Sequence, residues 1–264
     1  MSELKTLALR GGDFAVKYYQ AGQGDDLVFL HSAGGLPAFT PELAALSKKY
    51  RVTAPLLPGW GSSGEQHLHE DVQKLVFFGW DFCDALAIER PILVGHSFGG
   101  MMAAEMAATE PRRVKKLVLI APAGLYVEGC PMFDVFAATP AEIAKVAFHD
   151  PESPAAKAFV TPPSDPQAQI EATVAQIRAL ATAGRFLFPN GDRGLSERLY
   201  RIKAPTLLLW GESDRLIPRQ HADVFKRLMV NAPVKLQTIS QAGHVLFPEQ
   251  PEAAVNAILN FCAA

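Results

Sequence analysis

Cysteine is scarce in this chain. Its 264 residues hold three, Cys83, Cys130 and Cys262, an odd number with no C-x-x-C spacing, which argues against a disulfide framework and against a zinc site. Cys83 and Cys262 are expected to pack in helices as small apolar residues. Net charge is also low, −2 at pH 7, and no cluster of Lys and Arg with interleaved aromatics occurs, so nothing attracts nucleic acid. No apolar run approaches the ~20 residues that span a bilayer. Residues 1–10 lack the apolar core of a signal peptide. These absences set the expectation of a cytoplasmic protein with a small-molecule partner, no membrane association and no metal, its oligomeric state left open.

What is present describes an ordinary globular protein, 49% apolar and 20% charged. The length suits one α/β domain with an insertion. Residues 4–9 and 14–20 read as an opening hairpin around Gly11-Gly12-Asp13. Segments 27–30, 50–54, 91–95, 114–120, 206–210 and 234–240 read as strands, those at 27–30, 91–94 and 114–120 as apolar runs. They alternate with helical patterns at 41–49, 72–87, 98–109, 219–229 and from Pro251 onward. Such alternation predicts a mostly parallel sheet with helices on both faces. From 123 to 196 the strand-like runs stop, and Pro-rich breaks separate helical pieces at 140–148 and 169–183. Residues 123–196 therefore read as a helical lid inserted into a core made of 1–122 and 197–264.

The densest chemical signal is Gly95-His96-Ser97-Phe98-Gly99, placed between an apolar strand and a small-residue helix. G-x-S-x-G in that setting describes a nucleophile elbow, a sharp turn that presents Ser97 beside a helix N-terminus. A serine hydroxyl needs a base, and the base needs an orienting acid. Asp214 follows the strand at 206–210 and His244 follows the strand at 234–240, so each lies at the strand-end edge where Ser97 is expected. Glu212 and Glu128 are weaker candidates for the acid. An oxyanion hole needs two amide donors. The N–H of Phe98, directly after Ser97, supplies one. The small-residue loop His31-Ser32-Ala33-Gly34-Gly35 supplies the other, with Ala33 as the chosen donor.

With these motifs in place, the chain resembles the α/β-hydrolase superfamily over nearly all its length outside the lid. The resemblance rests on the 31–35 loop, Pro58-Gly59-Trp60-Gly61-Ser62-Ser63, the Ser97 elbow, Gly211-Glu212-Ser213-Asp214 and Ala242-Gly243-His244. It implies Ser97 as nucleophile, His244 as general base and Asp214 as its orienter, with no cofactor. Two departures stand out. Ser32 replaces the Gly usual after His31, and Leu56 stands where relatives often carry an acid. A serine at the elbow points to acyl chemistry, and the lid phenylalanines suggest an apolar pocket. His31, Ser32, Phe133, Phe136, Phe186 and Val245 are its expected walls, and a small to medium ester is the expected substrate.

Other functions stay open. One is hydrolysis of a carbon–carbon bond in a dienoate or 1,3-diketone, which similar lidded enzymes perform with the same three residues. Those enzymes often place Trp after the histidine and a carboxylate-binding Arg in the lid. Here Val245 follows His244, and Arg178 or Arg185 would have to serve as that arginine. Lactone hydrolysis is a further option, and a non-catalytic receptor that binds a small ligand under the lid is the alternative of another class.

Overall fold

The computed structural model describes residues 3–12, 14–63, 71–189 and 191–264. Among these, eight strands form one sheet: β1 (Leu4–Leu9), β2 (Phe14–Ala21), β3 (Asp26–Leu30), β4 (Arg51–Pro55), β5 (Ile92–His96), β6 (Lys116–Ile120), β7 (Thr206–Gly211) and β8 (Val234–Ile239). Their order is β1-β2-β4-β3-β5-β6-β7-β8. The β1–β2 and β2–β4 pairs are antiparallel. Every pairing from β4 onward through β3 to β8 is parallel. The expected hairpin forms with Leu4 opposite Tyr19 and Leu9 opposite Phe14. Its turn begins with a single 3-10 turn, Arg10–Gly12, while Asp13 lies outside the described residues.

The central strands are apolar on both faces because both faces are covered. Leu27, Phe29, Ile92, Val94, Val118, Ile120, Leu207 and Leu209 pack toward α1 (Pro41–Leu46) and α9 (Pro251–Ala263). Alternate residues, among them Val28, Leu93, Leu119 and Leu208, pack toward α2 (Val72–Ala85), α3 (Phe98–Thr109) and α7 (Gln220–Leu228). Each such side chain contributes roughly 1.5–3 kcal/mol by leaving water. Eleven of the twelve residues of α3 are buried, so this helix is apolar around its whole circumference. The exception in chemistry is Glu105, whose buried carboxylate is met by Arg198 Nε and Nη2 at 2.8 and 2.6 Å. A buried charge without that fork would be strongly destabilising.

Between β6 and β7 the described residues form helices and turns: α4 (Pro140–Ala147), α5 (Pro154–Val160) and α6 (Pro166–Leu187). Helix α6 starts earlier and ends later than the periodicity suggests. Asp165 caps it through Ala168 N at 2.7 Å, and Pro166 fits the first turn, where no N–H is needed. Two short helices carried too little periodic signal to be expected: α5, opened by a Ser153 cap, and α8 (Leu246–Glu249), a single turn just after His244. Helix α1 stops at Leu46, three residues short of the expected end, as residues 47–50 turn toward β4. Because β3, β5, β7 and β8 run parallel, the loops that follow them converge on one edge of the sheet.

Candidate active site

Ser97 sits between β5 and α3 with φ 54 and ψ −113, a backbone conformation that side chains other than glycine rarely adopt. Its neighbours hold it there. Ser97 N donates to Ile120 O at 2.9 Å, and Ser97 O accepts from Met101 N and Ala123 N, both at 3.0 Å. Two glycines make the turn sterically possible. A Cβ on Gly95 would run into the backbone of Gly99, and one on Gly99 would run into the Leu30 carbonyl. Both are needed for close approach, since neither has a positive φ.

Asp214 follows β7, and its two carboxylate oxygens have separate partners. Oδ1 accepts from Leu216 N at 2.9 Å and Ile217 N at 2.8 Å. Oδ2 faces His244 Nδ1 at 2.9 Å, and both side chains are buried. A carboxylate can only accept, so Nδ1 carries the proton and Nε2 holds the lone pair. The competing acids fall away: Glu212 and Glu128 are both exposed, and the acid on His244 is Asp214. The His244 backbone is also anchored, its N–H donating to Ala147 O at 2.7 Å and its carbonyl accepting from His96 Nε2 at 3.0 Å.

The 31–35 loop is held by two aromatic groups. His31 donates from Nδ1 to Ser32 O at 2.8 Å and accepts at Nε2 from Leu57 N at 3.0 Å. Trp60 Nε1 donates to Ala33 O at 2.8 Å. Ala33 thus sits in a loop pinned from both sides, and Phe98 opens α3 beside Ser97.

A cavity of about 580 Å³ opens over this edge, and Ser97, His96 and His244 lie in its wall. Of the expected pocket residues, Ser32, Phe133, Phe136 and Val245 line it, as does Ala33. His31 and Phe186 are corrections, for neither is part of the lining. Both ring nitrogens of His31 are spent on backbone partners behind the wall, and Phe186 turns into the core against Phe98, ring centroids 5.6 Å apart. Arg178 and Arg185 are not in the lining either. Sequence reading missed Trp60, Met132, Leu180, Leu216 and Ile217. Trp60 had a signal, its place inside the Pro-Gly-x-Gly turn, and the last two sit just beyond Asp214. The described lining is apolar but for a few polar groups near Ser97 and the amide of Gln176, as small-molecule sites tend to be. Among the described residues no cluster of three or more His, Cys, Asp or Glu could hold a metal. No described helix is long and apolar enough to cross a membrane.

A buried histidine, His31, and a half-buried one, His96, make stability depend on pH. Burial lowers His31 from 6.5 to about 4. Burial, followed by the nearby His244, lowers His96 to about 3. The unfolded chain therefore takes up protons near pH 6.5 that the folded chain refuses. Stability is full above that value and falls as the pH drops toward 4 and 3. Between pH 7 and 5 each ring withdraws about 2 kcal/mol. Urea unfolding at pH 7 and pH 5 measures this directly, and an unchanged midpoint would overturn it.

A mostly parallel sheet with the serine turn after β5 and the Asp–His pair after β7 and β8 defines an α/β hydrolase. Residues 27–258 match the Alpha/beta hydrolase family, and the chain belongs to that family. It is 30% identical to a 2-hydroxy-6-oxo-6-phenylhexa-2,4-dienoate hydrolase of Comamonas testosteroni, over 88% of this chain and 85% of that one. It is also 30% identical to a 2-hydroxy-6-oxononadienedioate/2-hydroxy-6-oxononatrienedioate hydrolase of Burkholderia vietnamiensis, over 95% and 92% of the two chains. Among solved structures, a membrane phospholipase A shares the fold with a TM-score of 0.82 at 24% identity, over 99% of this chain and 86% of that one. The meta-cleavage product hydrolase of Pseudomonas fluorescens IP01 shares it with a TM-score of 0.75 at 22% identity, over 98% and 97%.

Proposed function

We propose that this protein is a serine hydrolase that cuts a bond beside a carbonyl, working in the cytoplasm on a small molecule and needing no cofactor. The observation that carries the reading is the buried Asp214–His244 pair, 2.9 Å apart, set in one cavity wall with a strained Ser97. Ser97 Oγ adds to the carbonyl carbon as His244 Nε2 takes its proton. The N–H groups of Phe98 and Ala33 receive the oxyanion. Collapse expels the leaving group, which collects the proton from His244 and leaves an acyl-serine. His244 then draws a proton from water, and the hydroxide releases the acid. Residues 123–196 act as the lid, presenting Phe133, Phe136 and their neighbours to the substrate's apolar part.

Kinship supports a carbon–carbon bond as the first reading, ahead of the ester that the sequence alone suggested. The two relatives described above are hydrolases of dienoates. Once the 2-enol of such a substrate ketonises, its proton moving to C5, the leaving group departs as a delocalised dienolate that His244 can protonate. An ester is the second reading, favoured by the wall. A dienoate carries a carboxylate, which in an apolar cavity is costly unless paired, and the described lining offers it no Lys or Arg. Val245 adds to this, standing where such enzymes often place Trp.

The deciding assay compares turnover of 2-hydroxy-6-oxo-6-phenylhexa-2,4-dienoate with that of p-nitrophenyl acetate, butyrate and octanoate, using Ser97→Ala as control. A kcat/KM for the dienoate above that of every ester establishes carbon–carbon bond hydrolysis, and the reverse order establishes an esterase. No serine-dependent turnover, with no labelling of Ser97 by a fluorophosphonate, would sink both readings and point to a ligand-binding role.

A further inference from the structure

The two loops that carry Asp214 and His244 are sewn to the inserted segment at one place, the C-terminal end of α4. Ala147 O accepts from His244 N at 2.7 Å and from Val245 N at 3.3 Å. Arg215, next to Asp214, donates its N–H to Val146 O at 3.2 Å. Its guanidinium caps the last carbonyls of α4, those of Lys145 and Phe148. The His149 ring meets Ser213 Oγ at 2.7 Å. One side chain joins these ties to the histidine loop. Glu249, the last residue of α8, accepts from Gly243 N at Oε2 and from His149 N at Oε1, both at 2.7 Å.

We infer that Glu249 is a positioning residue for His244, holding the peptide before the histidine against the α4–α5 connection. The inference rests on His244 being the general base. Gly243 leaves no slack at this point, since a Cβ there would strike Ala147 O and His149 N. The His244 backbone is therefore fixed on both sides, by Ala147 at its own N–H and by Glu249 one residue earlier. A carboxylate suits this role because both of its oxygens accept, and bonds to a charged acceptor are about twice as strong as neutral ones. A carboxamide has one accepting oxygen, so its NH₂ group would face the second backbone N–H and leave that donor unpaired. Proton transfer from Ser97 is sensitive to such a loosening, because a misplacement of 1 Å costs on the order of 100-fold. Substrate binding is not, since Glu249 is absent from the cavity wall.

The test is steady-state kinetics of Glu249→Gln on whichever substrate above turns over, with Ser97→Ala and His244→Ala alongside. Exposed Glu252→Gln on α9 serves as the control. The expected result is a kcat at least tenfold below wild type, with KM within twofold and Glu252→Gln unchanged. A general loss of folded protein would instead lower the active fraction, which titration of Ser97 with a fluorophosphonate reports. If Glu249→Gln does not accumulate folded, Glu249→Asp decides, for it keeps the charge but falls a methylene short of spanning both donors. There a kcat loss of threefold or more at constant KM is expected. Smaller losses of kcat than these, or a loss carried by KM, overturn the inference. Full activity of Ser97→Ala or His244→Ala would overturn the reading beneath it.

Discussion

Ser97→Ala is expected to abolish turnover, with a fall in kcat on the order of 10⁶, the loss seen when a triad serine is removed, and to leave stability unchanged. In the proposed mechanism the hydroxyl is the group that bonds to the carbonyl carbon, and the oxyanion donors alone would preserve only a small fraction of the rate. The fold does not depend on it. The ties of Ser97 to Ile120, Met101 and Ala123 all run through its backbone, so alanine keeps every one. Alanine also inherits the strain at φ 54 and ψ −113, so that energy is not released. Ser97→Gly separates the two effects. Glycine relieves a strain of about 1–3 kcal/mol against an entropy cost of roughly 0.5–1 kcal/mol, and its melting temperature should equal or exceed that of wild type. Thermal melts of both variants, together with kcat on the better substrate, check this. Residual activity above a hundredth of wild type in Ser97→Ala would refute the nucleophile assignment.

The sheet was legible in the sequence because its central strands are buried on both faces. Runs such as Leu27-Val28-Phe29-Leu30 have no polar residue to obscure them. The meeting of Ser97, Asp214 and His244 was legible for a related reason. Each follows a segment that reads as a strand, and parallel strands bring their ends to one edge. What stayed hidden depends on tertiary contact. The start of α6 was obscured because Pro166-Gln167-Ala168 carry no large apolar residue, so only the Asp165-Pro166 pair marks it. Whether a phenylalanine between β6 and β7 faces the cavity or the core cannot be read from its spacing. Phe136 and Phe186 look alike in sequence, yet Phe186 is held away from the cavity by Phe98. The bond from Glu249 to His149 spans 100 residues, beyond the reach of any local pattern.

Asp214→Asn is expected to keep the fold and lose about 10⁴ in kcat. The two oxygens of Asp214 explain why charge and shape can be separated here. Oδ1 holds the N–H groups of Leu216 and Ile217. An asparagine will keep its one accepting oxygen on that side, because turning it over would leave both donors unpaired at about 1–3 kcal/mol each. The amide NH₂ must then face His244 Nδ1. Two donors cannot share a hydrogen bond, so the imidazole moves its proton to Nε2 and accepts at Nδ1. The nitrogen offered to Ser97 no longer has a lone pair, and the base is lost although no atom has moved far. Asp214→Ala lacks this separation, since it strips the Leu216 and Ile217 donors as well and should lower the melting temperature along with the rate. Glu212→Gln, at an exposed position in the same turn, should change neither. Kinetics and melting curves for the three variants decide the matter. An Asp214→Asn enzyme within tenfold of wild type, or a Glu212→Gln enzyme that is the more damaged of the two, would mean that His244 takes its orientation from another group.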